Sequence, residues 1–176
     1  MRTKTPKITA CEVEIAVARM FGWRTNIIAP NISWGLRGLG HEADLLVISK
    51  SGWCREVEIK VSGSDISADL HKNHGHRSRL VRQLYFAVPD KLAEHPDLPS
   101  TAGLIVVKDR QAKIVRSAAV NKSAIRLSDD QITKVLHLAA MRVWSLKEKL
   151  MQRVQQRRFK EQNENVSNTV QKSLNG

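Results

Sequence analysis

Asp44, Glu58 and Lys60 combine two carboxylates and an ammonium group, a set that can bind a divalent cation and hold a phosphate beside it. Carboxylate oxygens are hard ligands, the type that Mg²⁺ and Mn²⁺ prefer. Both acidic residues lie in segments typical of β-strands, the apolar run 43–49 and the alternating run 53–61. Whether they can share one ion depends on how those two segments pair.

A tight hairpin is predicted to connect the two strands. Residues 50–52, with the sequence Lys-Ser-Gly, have the length of a three-residue loop, and such loops commonly end in a residue with positive φ, which glycine adopts without steric cost. With Ser51 at the centre, Ser49 pairs with Trp53, and Asp44 lies directly across from Glu58. Opposed β-carbons are about 4.5 to 5.5 Å apart, so the two carboxylates repel unless a cation or a proton neutralises them.

Alternation along the second strand places a row of charged side chains on the face of Asp44. Glu56, Glu58 and Lys60 point to that face, and the intervening apolar residues point to the other. Glu56 lies about 6.6 Å further along the strand, so it is predicted to lie outside the ion's ligand shell. The row therefore predicts a magnesium or manganese site.

Asp44, thirteen intervening residues and then Glu58-Ile59-Lys60, preceded by a helix, resemble the motif of the PD-(D/E)XK nuclease superfamily of restriction-endonuclease-like enzymes. Ala43 stands where the superfamily motif has a proline, a difference that changes no metal ligand. The longer stretch 62–89, with Asp65 in it, is similar to the DNA-repair branch called MmcB-like and to related phage-encoded proteins. The similarity covers about residues 8 to 120.

The resemblance implies an α/β fold with a restriction-endonuclease-like core, a mixed central β-sheet flanked by helices. It also implies a metal-dependent DNA endonuclease that hydrolyses phosphodiester bonds in DNA repair or phage DNA metabolism. Asp44, Glu58 and the backbone carbonyl of Ile59 would hold Mg²⁺ or Mn²⁺. Lys60 would position the attacking water or stabilise the charge of the transition state. The superfamily takes a further acidic residue from its first helix, and Glu14 matches that position.

The first predicted helix, from Ala10 to Phe21, gives its two glutamates different roles. Thr9 and Glu12 form a capping box, and Gly22 provides a C-terminal stop. Glu14 has no such role and shares its stripe with apolar residues, so it is predicted to face inward, where a carboxylate needs a partner. A position at an exposed edge of the helix is the alternative.

Charge indicates a polyanionic partner, and DNA is the partner that we predict. The chain has 29 Lys plus Arg against 17 Asp plus Glu, a formal net charge of +12, which favours nucleic acid. A cationic segment near the predicted site is interpreted as a phosphate-backbone contact, with a solvated loop as the alternative. A zinc site there is disfavoured because no cysteine lies nearby. The segment consists of Lys72, His74, His76, Arg77, Arg79 and Arg82.

The length of 176 residues suits one domain, predicted over residues 1–155. A long helix opens at a capping box of Ser128 and Gln131, and the polar tail 156–176 is predicted to be disordered. The apolar stripe of that helix is typical of a core or a dimer contact, so a homodimer stays open. Two cysteines without a secretory signal predict a cytoplasmic protein, and no apolar run approaches the roughly 20 residues that span a membrane.

Two other functions remain as alternatives. A non-catalytic DNA-binding accessory protein with a nuclease-like fold would be free to lose the costly row of like charges, and this chain keeps that row. An RNA-cleaving enzyme also fits the predicted chemistry, although no RNA-specific stacking module is visible. Cleavage assays with Mg²⁺, Mn²⁺ and EDTA separate these classes.

Overall fold

A computed structural model describes residues 8–32, 36–70, 78–95 and 97–174. Within these ranges six strands form one mixed sheet flanked by helices, which confirms the predicted α/β class and the long C-terminal helix. The elements are α1 (Ala10–Phe21), β1 (Ile27–Ile32), β2 (Ala43–Ile48), β3 (Cys54–Ile59), α2 (Gly63–Leu70), β4 (Val81–Pro89), β5 (Gly103–Lys108), β6 (Gln111–Arg116) and α3 (Asp129–Leu174).

The six strands lie in the sheet in the order in which they occur along the chain. β1, β2 and β3 pair antiparallel, β3, β4 and β5 pair parallel, and β6 returns antiparallel to β5. β3 therefore lies inside the sheet, with the hairpin partner β2 on one side and the parallel strand β4 on the other. Apart from Arg55, every residue of β3 is buried.

α1 covers one face of the sheet. The predicted capping box is confirmed, since the Glu12 N–H donates to Thr9 Oγ1 at 3.3 Å and the Thr9 N–H donates to Glu12 Oε2 at 2.9 Å. Gly22 ends the helix with a φ of 74°. The buried residues Val13 and Val17 of α1 pack against inward-facing residues of β2 to β5.

The opposite face of the sheet carries two separate apolar clusters. The first joins Leu46 and Ile48 of β2 to the start of α3, where Val135 is fully buried. The second joins Phe86 of β4 to Ile66 of α2 and to residues of β5. Because side chains alternate along a strand, Glu56 and Glu58 point to this face, between the two clusters.

Pro30 lies within β1 and does not end it. Pro30 pairs with Leu45, and the strand continues to Ile32. The sequence predicts a first strand that contains residues 26–29 and ends at Pro30. This end is wrong because β1 is an edge strand, where a missing N–H removes no ladder bond on the solvent side.

Residues 156–174 are helical in the structure, although their composition predicted disorder. No proline or glycine interrupts α3, and Gln, Lys, Arg and Glu favour helices. By internal packing the chain divides into Met1–Ala139, which contains the sheet, and Ala140–Gly176, which is helical through Leu174. The predicted domain limit at residue 155 stays a prediction. No helix in the described ranges combines the length and apolar character needed to cross a bilayer.

Candidate metal centre

The β2–β3 hairpin has the register predicted from the sequence. The Ser49 N–H donates to the Trp53 carbonyl at 2.9 Å, and Gly52 has a φ of 79°. Leu45 pairs with Val57, so the next pair outward sets Asp44 opposite Glu58. Both acidic side chains therefore project from the same face of two adjacent strands.

Asp44 is half-buried and is anchored by the neighbouring strand. Its Oδ2 accepts a hydrogen bond from the Ile59 N–H at 2.8 Å. Burial raises the pKa of the Asp44 carboxyl, while that hydrogen bond and the charge of Lys60 oppose the rise. The hydrogen bond fixes one oxygen, and the other carboxylate oxygen remains available as an acceptor.

Glu58 and Lys60 form a buried ion pair beside Asp44. Lys60 Nζ lies 3.2 Å from Glu58 Oε2, and only 5% of Lys60 and 7% of Glu58 is exposed. Burial, followed by the negative charge of Asp44, raises the pKa of Glu58 to about 7 despite the opposing charge of Lys60. The lysine therefore compensates the acidic pair only in part.

Glu14 of α1 interacts electrostatically with the same cluster. Burial raises the pKa of its half-buried carboxyl, and the charge of Asp44 raises it further. The capping glutamate of α1 behaves differently, because the hydrogen bonds from Thr9 lower the pKa of Glu12. The sequence-based distinction between Glu12 and Glu14 agrees with these environments.

His41 and Glu56 form a contact that the sequence did not predict. Glu56 is fully buried, and His41 Nε2 lies 2.5 Å from its Oε1. Glu56 Oε2 is buried and has no hydrogen-bond partner in the described part of the protein. Ligand atoms of His41, Glu56 and Glu58 all lie within 4.8 Å of one another. Glu56 thus lies closer to the site than its position along the strand suggested.

Residues 7–150 match the family model described as DNA repair protein MmcB-like. The chain belongs to the MmcB-like family. The MmcB-like chain is also similar to a solved structure, the SPO1766 protein of unknown function from Silicibacter pomeroyi, with 20% identity and a TM-score of 0.58. That similarity covers 84% of this chain and 92% of the other, and it shows a shared fold. No curated protein sequence matches the MmcB-like chain.

The donor set of the MmcB-like chain fits a hard divalent cation. Asp44 and Glu58 supply carboxylate oxygens from one face, and each has a raised pKa that reflects poorly compensated burial. The carbonyl of Ile59 would add a third oxygen of the type that Mg²⁺ and Mn²⁺ accept. A cation between the two carboxylates would relieve both their burial and their mutual repulsion.

The predicted nucleic-acid contacts of the MmcB-like chain are only partly described. Lys72, His74, His76 and Arg77 lie outside the described residues. The other two are held near the start of β4: Arg79 Nε donates to the Ser123 carbonyl at 3.3 Å, and the Arg82 guanidinium lies 4.0 Å from the centre of the Trp53 ring. Since Glu58 pairs with Phe86, Arg82 is about 13 Å along the strand from the acidic pair. Their role in DNA binding stays a prediction.

Proposed function

We propose that this MmcB-like protein is a metal-dependent endonuclease that hydrolyses phosphodiester bonds of DNA during repair. The observation that supports this proposal best is the hairpin register, which sets Asp44 opposite Glu58 while Lys60 pairs with Glu58 on the same face. The family description supports a role in DNA repair. The net charge of +12 supports a polyanionic substrate.

Asp44, Glu58 and the carbonyl of Ile59 are the residues that would hold one Mg²⁺ or Mn²⁺. Such an ion supplies a more acidic bound water and neutralises charge on the phosphate. Asp44 is suited to the role because the 2.8 Å hydrogen bond from the Ile59 N–H fixes its carboxylate. Fixed ligands lose little freedom when they bind, so the site is preorganised.

Lys60 is the residue that would act on the phosphate or on the attacking water. Its ammonium lies 3.2 Å from Glu58 Oε2, and Lys60 as a residue is 5% exposed, so its charge acts in a region from which water is largely excluded. A fixed positive charge in such a region stabilises developing negative charge far better than one in bulk water. Glu14, coupled to Asp44 through its charge, would complete the ligand shell or orient a water.

A cleavage assay with matched variants tests the proposal. The wild type should cut DNA with Mg²⁺ or Mn²⁺ and not with EDTA on at least one member of a panel of plasmid, single-stranded and branched DNA. Asp44→Asn, Glu58→Gln and Lys60→Met should each lower the rate at least about a hundredfold, as removal of one stabilising group does in other enzymes. Glu148→Gln and Lys113→Met, at exposed positions, are the matched controls and should cut at the wild-type rate.

The outcomes separate the classes of function. Wild-type cleavage by Asp44→Asn or Lys60→Met would refute the assignment of the site. DNA binding without cleavage under every metal condition would refute the nuclease and favour a non-catalytic accessory protein. Cleavage restricted to RNA members added to the panel would replace the proposed substrate.

A further inference from the structure

We propose that His41, Glu56 and Glu58 form a second divalent-cation site, which binds Mn²⁺ or Zn²⁺ in preference to Mg²⁺. This site lies beside the Asp44–Glu58 pair and shares Glu58 with it. It adds an imidazole ligand that the proposed nuclease site does not have. The inference rests on the geometry of these three residues and does not depend on DNA cleavage.

The separations of the ligand atoms suit one ion. Imidazole and carboxylate donors lie about 2.1 Å from a bound divalent metal, so two donors of one ion are about 3.0 Å apart when adjacent and about 4.2 Å apart when opposite. The ligand atoms of His41, Glu56 and Glu58 lie within 4.8 Å of one another. Small side-chain rotations would therefore bring all three to bonding distance.

An unsatisfied oxygen on Glu56 points to a missing partner. Glu56 is fully buried, its Oε1 contacts His41 Nε2, and its Oε2 has no hydrogen bond within the described ranges. A buried carboxylate oxygen without a hydrogen bond costs free energy comparable to a lost charged hydrogen bond, so native proteins rarely leave one. A cation at this position would satisfy that oxygen.

The net charge of this cluster also favours a bound cation. Glu56 and Glu58 contribute two negative charges when ionised, and the ion pair of Glu58 with Lys60 contributes one positive charge. On the neighbouring strands Leu46 and Phe86 are apolar and buried, so they offer no positive charge, and Asp44 opposite Glu58 adds a further negative charge. A bound divalent cation would supply the missing positive charge without any rearrangement of the sheet.

The imidazole determines which metal is preferred. Mg²⁺ binds oxygen ligands and keeps most of its waters, whereas Mn²⁺ and Zn²⁺ accept a histidine nitrogen. A site of one imidazole and two carboxylates therefore discriminates against Mg²⁺. With Glu58 shared, Mn²⁺ would occupy two neighbouring positions where Mg²⁺ occupies one.

Mn²⁺ binding to the metal-free full-length chain tests the site without DNA. Electron paramagnetic resonance counts free Mn²⁺ during a titration, and pulsed measurements detect coupling of bound Mn²⁺ to a histidine nitrogen. The wild type should bind two Mn²⁺ per chain, one of them coupled to nitrogen and resistant to a large excess of Mg²⁺. His41→Ala should remove the nitrogen coupling and weaken the second ion at least about tenfold, since even indirect supports of a ligand cost that much.

Several further variants test whether His41 itself binds the second ion. His41→Gln is a milder change in case His41→Ala does not fold, as judged by circular dichroism, and it should give the same losses. His137→Gln, at an exposed position of α3, should keep both ions. Asp44→Asn should keep the nitrogen-coupled ion, even though it is expected to stop cleavage. If the wild type binds the nitrogen-coupled ion but never cuts DNA, the second site is supported and the proposed nuclease function is refuted.

Three results would overturn the second site. The first is an unchanged Mn²⁺ count and nitrogen coupling in both His41 variants. The second is loss of the coupling in a His71→Ala, His74→Ala, His76→Ala triple variant while His41→Ala retains it. The third is a wild type without nitrogen coupling, in which the contact between His41 and Glu56 serves only as a hydrogen bond.

Discussion

Replacing Glu58 should change how the stability of the metal-free protein depends on pH. Burial and the charge of Asp44 raise the pKa of Glu58 from 4.5 to about 7. A carboxyl whose pKa is raised by folding binds its proton more tightly in the folded state, so low pH favours folding. Stability contributed by Glu58 is therefore lost as the pH rises from 4.5 through about 7.

The size of the effect follows from the two pKa values. Each pH unit between them is worth about 1.4 kcal/mol, so the full difference amounts to about 3 kcal/mol. Glu58 is 7% exposed, which leaves little screening by solvent. Between about pH 5 and about pH 8 the free energy of unfolding should fall by about 2 to 3 kcal/mol because of Glu58. The pKa values of Asp44 and Glu14 are raised too, so the stability that these residues contribute also falls as the pH rises. Both residues are unchanged in a Glu58 variant, so their contributions cancel when it is compared with the wild type.

Denaturant unfolding in EDTA measures this difference. The free energy of unfolding of the wild type and of Glu58→Gln is compared at several pH values from about 5 to about 8, and their difference isolates Glu58. The advantage of the variant should grow by about 2 to 3 kcal/mol across that range. Glu148→Gln, at an exposed position, should follow the wild type. A difference between Glu58→Gln and wild type that does not vary with pH would refute the assigned environment of Glu58.

Three further expectations concern the metal and the cysteines. Above neutral pH, each tenfold rise in Mg²⁺ concentration beyond the dissociation constant should raise the free energy of unfolding of the wild type by about 1.4 kcal/mol. Denaturant titrations should show that Asp44→Asn loses this response. Calorimetry should show Mg²⁺ affinity falling about tenfold per pH unit below about 7, because a proton on Glu58 competes with the ion; a flat profile would contradict this. Burial raises the pKa of Cys54 to about 12, whereas Cys11 is exposed. A thiol reagent near neutral pH should therefore label Cys11 and reach Cys54 only after denaturation, which mass spectrometry can show. Labelling of Cys54 in the native protein would contradict its burial.

The hairpin could be predicted from sequence because its register follows local rules. Gly52 supplies the positive φ that a three-residue loop requires, and pairing of Ser49 with Trp53 then fixes every later pair. The capping box of Thr9 and Glu12 defined α1 in the same local way. Both features depend on residues within a few positions of one another.

The contact of His41 with Glu56 could not be predicted because His41 lies outside the sheet, in the connection between β1 and β2. β1 ends at Ile32 and β2 begins at Ala43, so the position of His41 depends on tertiary packing. Leu36 and Leu39 pack against the apolar cluster around Leu46, and no local pattern specifies that packing. Alternation did place Glu56 on the face of Glu58, but it could not show how closely the two side chains approach.

α3 shows the limit of composition as a guide. Residues 156–174 contain few apolar residues, which is why disorder was predicted, yet they contain no proline or glycine that would break a helix. Large apolar side chains remain exposed on this helix, among them Trp144 at 65% and Phe159 at 64%. The homodimer predicted as an option from the same stripe stays a prediction.

The most direct test of the proposed metal centre is a crystal structure of the protein grown with Mn²⁺, with the ion located by its anomalous scattering. We expect a peak within about 2.2 Å of a carboxylate oxygen of Asp44 and of Glu58. Loss of that peak in Asp44→Asn crystals would support the assignment. A wild-type map without a peak between the Asp44 and Glu58 carboxylates, whether or not Mn²⁺ binds elsewhere, would contradict it.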